Sequence, residues 1–179
     1  MNTRDSGVIV HCLPYSETSV IAVWMSENHG ILRTLAKGAR RPKQPLFGLV
    51  DAYRAGSFGF RASRTSQLHT LVDFAPERYY PGLASDYARG LCASYFYEVI
   101  ARLSEPQHPQ PEIHQLYLKA LDYLDHRAPT PTLVGRFEKR LFELLGLHDP
   151  GCTHRVLRQR LLHPLPKTWQ RLATVLGES

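Results

Sequence analysis

Four cations in seven positions, with no acid among them, make Lys37-Gly38-Ala39-Arg40-Arg41-Pro42-Lys43 the stretch best equipped for chemistry. That chemistry is electrostatic. Lys and Arg release the counterions condensed on a phosphate backbone, and a guanidinium forks onto phosphate oxygens. Gly38 and Pro42 argue against a regular element and for an exposed, flexible loop. The plainer alternative is a solvated turn, the usual fate of a charge run.

Further candidates surround this stretch. Arg33, Arg61 and Arg64 are placed to extend the same basic face. Tyr53, Phe58 and Phe60 are near enough in sequence to stack on bases, although aromatics alternating along a strand ordinarily fill a core. Farther along, Arg136 and Arg140 fall at i and i+4, beside Lys139 and an apolar stripe of Phe137, Leu141 and Leu144. A basic pair bordering such a stripe suits an acidic peptide ending in an aromatic residue. A solvent-facing helix neutralised by Glu138 and Glu143 is the alternative. Arg155, Arg158, Arg160, Lys167 and Arg171 form a second basic patch, read either as another polyanion contact or as a plain charged surface.

Catalytic and metal readings find little. His148, Cys152 and His154 match no standard zinc spacing, and there is no CxxC pair. Gly56-Ser57-Phe58-Gly59 lacks the lysine of a phosphate-binding loop, and no GxSxG occurs. The expectation is a binding protein, not an enzyme, without metal or cofactor.

Two kinds of element must position these residues. Residues 7–13, 19–25, 31–36, 53–60 and 68–74 read as strands, rich in β-branched and aromatic residues and bounded by Gly, Pro or polar turns. Leu46 to Val50 reads as a single helical turn. Five short strands with hairpin-length links point to a small barrel, for which the five-stranded open Greek-key barrel of OB type is chosen. The loop between the fourth and fifth of these strands, holding Arg61 and Arg64, then borders a nucleic-acid groove. Near Tyr79-Tyr80-Pro81-Gly82 the period changes. Apolar residues recur at helical spacing over 83–103, 113–124 and 133–145, with two shorter helices over 155–162 and 167–176. The expected fold is α+β: an OB-fold β-barrel over 1–80, then an all-α helical bundle over 81–179.

Composition agrees with a polyanion partner. The 179 residues carry a net charge of +6. The charge concentrates at the two ends, +4 over 1–80 and +4 over 152–179, against −2 between them. An apolar fraction of 43% supports a packed core. Three separated cysteines suit a reducing compartment. With neither a signal-peptide core nor a membrane-length apolar run, a cytoplasmic protein without membrane contact is expected.

Three stretches carry a resemblance to a known family: Pro14-Tyr15-Ser16-Glu17-Thr18-Ser19 after His11, then His29-Gly30 leading to Ala36-Lys37-Gly38-Ala39-Arg40-Arg41-Pro42, then Arg136-Phe137-Glu138 to Leu144-Leu145-Gly146. The chain resembles the bacterial recombination mediator family RecO over most of residues 7–147. The resemblance implies an OB-fold domain followed by a helical domain. It implies binding of single- and double-stranded DNA, annealing of complementary strands, and cooperation with RecR in loading RecA onto strands coated by single-strand-binding protein (SSB). It also implies docking of the acidic SSB C-terminal tail on the helical domain, for which Arg136, Phe137 and Arg140 are the candidates. After Gly146 the sequence departs from the pattern. Many relatives carry a cysteine cluster there, some with zinc, whereas this chain has only Cys152 and is short for the family. The competing reading is a protein-interaction module whose basic loop docks an acidic partner without significant DNA affinity.

Overall fold

The computed structural model describes residues 2–147, 149 and 151–178, and resolves them into five strands and six helices among those residues. The strands are β1 (Asn2–Pro14), β2 (Val20–Ser26), β3 (Gly30–Ala36), β4 (Arg54–Arg61) and β5 (Leu68–Tyr79). The helices are α1 (Pro81–Ser85), α2 (Tyr87–Leu103), α3 (Pro111–His126), α4 (Pro131–Leu144), α5 (His154–Leu161) and α6 (Lys167–Leu176). The chain divides into two compact units: Met1–Tyr80 with Pro106–His114, and Pro81–Glu105 with Gln115–Ser179.

In the first unit the strands pair in the closed order β1-β2-β3-β5-β4. Four pairings are antiparallel. The fifth, β3 with β5, is parallel and short, aligning Arg33 with Leu68, Thr34 with His69 and Leu35 with Thr70. Ile9, Ala22, Trp24, Leu32, Phe58, Phe60 and Phe74 point inward and form the core. Trp24 stacks on Phe58 with ring centroids 4.0 Å apart and meets Phe74 edge-on at 5.0 Å. Its indole N–H donates to Thr34 Oγ1 at 2.8 Å, so its one polar atom is satisfied inside the barrel. Burial of each such ring stabilises the unit by roughly 1.5–3 kcal/mol. Phe58 and Phe60, with Tyr53, are therefore buried. The stacking role considered for these three is corrected: period-two alternation turns the Phe rings to the inside, where no base reaches them.

The proline-rich stretch at 106–114 belongs with the barrel. Gln107 N–H donates to Ile31 C=O at 3.2 Å. Gly30, at φ +61°, lies so close to His108 that a Cβ there would come within 2.3 Å of its carbonyl oxygen. Only glycine permits that approach.

The second unit packs helices around α2, whose Cys92, Tyr95, Phe96, Val99 and Ile100 are buried. Phe96 stacks on Phe137 of α4 at 3.8 Å. Asp86 caps α2 by accepting from Arg89 N–H at 3.0 Å, and Thr130 caps α4 by accepting from Leu133 N–H at 3.1 Å. The sequence pattern leaves one feature unannounced. Glu138 of α4 is fully buried, and Arg158 of α5 is only 5% exposed. Arg158 forks onto Glu138 through two hydrogen bonds, at 2.7 and 2.8 Å. Tyr95 Oη donates to the same carboxylate. The guanidinium lies over the Trp169 ring of α6 at 3.6 Å. One ion pair thus touches four helices.

Breaking a buried pair strands a charge. Glu138→Ala is expected to destabilise the helical unit by about 3–5 kcal/mol, read as a fall in the urea midpoint followed by helical circular dichroism. Glu138→Leu combined with Arg158→Met is expected to lose much less, because neither charge remains. A single-variant loss below about 1 kcal/mol would rule out the buried pair.

Candidate nucleic-acid interface

The basic stretch is a loop with a defined hydrogen-bonded shape. Residues 37–49 form a succession of turns. Arg41 N–H donates to Gly38 C=O at 2.9 Å, Gln44 N–H to Arg41 C=O at 3.3 Å, and Phe47 N–H to Gln44 C=O at 3.0 Å. Two side chains anchor the run. Ala39 and Leu46 are buried and belong to the barrel core cluster. Because those apolar residues turn inward, Lys37, Arg40, Arg41 and Lys43 are left exposed. Among the described residues none of these four pairs with a carboxylate, whereas Arg4 is taken by Asp73 at 3.2 Å.

The β1–β2 turn is tied to this run. Arg40 N–H donates to Thr18 C=O at 3.1 Å, and Gly38 N–H donates to Ser19 Oγ at 3.3 Å. Ser16 Oγ in turn accepts from Ser19 N–H at 3.2 Å. The two segments therefore form one hydrogen-bonded rim. Close by, Cys12 packs against the core with Leu49 and Val50. Burial, assisted by the Asp51 charge, pushes its thiol up to about 11, so it is a neutral packing group and no nucleophile.

Strand register locates the other cations. Arg61 faces Thr70, and Thr70 faces Leu35, two residues before Lys37. Two strand spacings, about 10 Å, separate Arg61 from β3 on that row. Arg33 lies one pleat earlier on β3, opposite Leu68, and is exposed like Arg61. Arg64 lies in the loop that enters β5 at Leu68. The four turn cations are thus brought together, Arg33 and Arg61 occupy the adjoining outer face of β3, β5 and β4, and Arg64 borders it.

In the helical unit Arg136, Lys139 and Arg140 are exposed on α4, with Arg140 near Glu143 at 3.2 Å. Phe137 is buried against Phe96, so it supports the helix from within and offers no ring to a ligand. The second basic patch is partly dismantled. Arg158 is committed to Glu138, and Arg155 pairs with Glu178 at 3.3 Å. Arg160, Lys167 and Arg171 remain exposed. Cys152 Sγ donates to Asp149 Oδ2 at 3.3 Å, and His148 lies outside the described residues. Among the described residues no three metal-ligating side chains cluster, and no helix is long and apolar enough to cross a membrane.

Sequence reasoning missed two residues at the rim. Tyr15 and Phe47 are 58% and 48% exposed. Tyr15 follows the Pro that ends β1, and Phe47 follows the buried Leu46; neither falls in a strand pattern that would have flagged it.

Two family models match the chain. Recombination protein O N terminal covers residues 1–80, and Recombination protein O C terminal covers residues 84–148. Among curated proteins, DNA repair protein RecO of Azoarcus sp. (strain BH72) is 31% identical over 143 residues, covering 80% of this chain and 57% of that protein. DNA repair protein RecO of Chromobacterium violaceum is 29% identical over 144 residues, with 80% and 57% covered. That of Synechocystis sp. is 25% identical over 160 residues, with 88% and 58% covered. The chain therefore spans a little over half the length of these relatives.

Gly38 holds the rim at φ +69°, with Gln44 Cγ 3.1 Å from where a Cβ would stand. Gly38→Ala is expected to cost about 1–2 kcal/mol, lowering Tm by about 2–8 °C. An unchanged Tm in a calorimetric scan would mean that the turn is not held as described.

Proposed function

The chain belongs to the RecO family, and on that premise we propose that it is a DNA-binding recombination mediator acting in DNA repair. In this reading it binds and anneals single-stranded DNA, and with RecR it helps load RecA onto SSB-coated strands. Residues 1–80 are the DNA-binding domain, a barrel of OB type, and residues 81–179 are the helical domain. The strand order β1-β2-β3-β5-β4 supports the OB assignment.

The observation that carries the proposal is the rim itself: four exposed, unpaired cations held in shape by buried Ala39 and Leu46. A loop backbone anchored in this way loses little conformational freedom on meeting a phosphate backbone, and each neutralised phosphate releases counterions. Arg33, Arg61 and Arg64 extend the surface. On α4, Arg136 and Arg140 supply charge for the acidic SSB tail, with the aromatic end of that tail lodging beside the helix instead of against buried Phe137.

Fluorescence anisotropy of a labelled single-stranded oligonucleotide, titrated across salt, tests the main reading. Arg40→Ala with Arg41→Ala is expected to weaken binding for every sequence and to flatten the log–log salt slope by about 1.4. Unchanged affinity at moderate salt would remove the rim from the site and favour docking of an acidic protein. Separately, Arg136→Ala with Arg140→Ala is expected to weaken binding of an SSB tail peptide while leaving DNA affinity intact. Loss of both together would point to an unfolded helical unit.

A further inference from the structure

We infer that Tyr15 and Phe47 stack on unpaired bases and give this surface a preference for single-stranded over duplex DNA. The inference rests on the DNA-binding reading and goes beyond it, because charge alone does not distinguish one strand from two.

Three observations carry it. Both rings are about half exposed, whereas Trp24, Phe58, Phe60 and Phe74 are buried in the barrel core. Both belong to the one hydrogen-bonded rim: Tyr15 N–H donates to Ser19 C=O at 3.2 Å, beside the Thr18–Arg40 and Ser19–Gly38 links, and Phe47 N–H donates to Gln44 C=O at 3.0 Å within the run of turns that includes Gly38. Lys37, Arg40, Arg41 and Lys43, all exposed, fall between them along the chain, on the same run of turns that carries Phe47. Aromatic faces interleaved with cations match a single strand, whose phosphates take the charges and whose unstacked bases take the rings. A duplex keeps its base faces covered by its own stack and leaves the rings no face to pack on.

The backbone supports the role. Tyr15 is held by its own turn, and Phe47 by Leu46, its buried neighbour. Rings on anchored turns lose little freedom when a base arrives.

The test compares affinities of the full chain for three probes of equal length at one salt concentration: a labelled thymidine oligonucleotide, an abasic oligonucleotide and a duplex. The wild type is expected to bind the thymidine strand at least tenfold more tightly than the abasic strand. Tyr15→Ala and Phe47→Ala are each expected to lower thymidine-strand affinity about 5- to 100-fold, to change duplex affinity less than twofold and to leave the salt slope unaltered. Tyr15→Phe is expected to restore binding, since the ring and not the hydroxyl does the stacking. Equal wild-type affinity for thymidine and abasic strands would overturn the inference while leaving the basic rim in place. Equal loss on all three probes in the alanine variants would overturn it too, as damage to the rim. Absence of wild-type binding to any probe would overturn the DNA reading itself.

Discussion

Closure of the sheet through three parallel pairs, Arg33 with Leu68, Thr34 with His69 and Leu35 with Thr70, is the constraint on which the barrel unit rests. Without it β3 and β5 would be open edges with unpaired backbone groups, and Trp24 would have a wall on only one side. With it the core is enclosed, and the register is fixed. Register decides more than stability. Because side chains alternate with period two, a slip of one residue between β3 and β5 would turn Arg33 inward and Leu32 outward. The same pairing sets Arg61 on the row of Leu35, beside the turn that carries the other cations. A packing requirement thus determines the charge geometry of the surface.

Much of this was legible in the residues. β2, β3, β4 and the helices α3 to α6 begin and end near the positions that β-branched runs, prolines and apolar periodicity indicate, whereas β1 starts five residues before its apolar run, β5 runs five residues past its own, and the helix expected over 83–103 is broken at Asp86 into α1 and α2. The change from strand to helix at Pro81 is local too. What escaped was non-local. Ala39, a single small residue between cations, carries no periodic signal, yet its burial shapes the rim. The exposure of Tyr15 and Phe47 depends on which way each turn faces, and composition does not encode that, whereas the burial of Phe58 and Phe60 follows from their alternation along β4. Pro106, Pro109 and Pro111 mark only the break between two helices, yet Gln107 bonds to Ile31 and His108 approaches Gly30, so this stretch groups with the barrel unit.

The helical unit depends on a contact of the same non-local kind. Glu138 and Arg158 are twenty residues apart on different helices, and each reads alone as a surface charge. Together they are buried, hydrogen-bonded and stacked on Trp169. A buried ion pair adds little net stability over an apolar pair of like volume, since desolvation offsets most of the attraction. Its value lies in excluding alternatives: any packing that separates α5 from α4 leaves a charge in the core. Glu138 lies inside the stretch matched as Recombination protein O C terminal, whereas Arg158 and Trp169 lie beyond residue 148, where that match ends. The carboxylate inside the matched region therefore takes its partner from outside it, and α5 and α6 are part of the unit's core.

The proposed annealing role places a particular demand on the barrel surface. A protein that gripped base edges would hold a strand well and prevent it from pairing. Contacts to phosphates and to base faces leave those edges open. The rim offers contacts of that kind: guanidinium and ammonium groups for phosphate oxygens, and two exposed rings for π-faces. Phosphate contacts also screen the repulsion that a second strand meets on approach. No covalent step is needed for either effect. The surface must be only sticky enough to hold one strand extended, and it must lose its stacking contacts once that strand pairs. Stacking on Tyr15 and Phe47 has that property, because a base that joins a duplex withdraws its face into the new stack. The same physics that would favour the single strand would therefore favour release of the paired product.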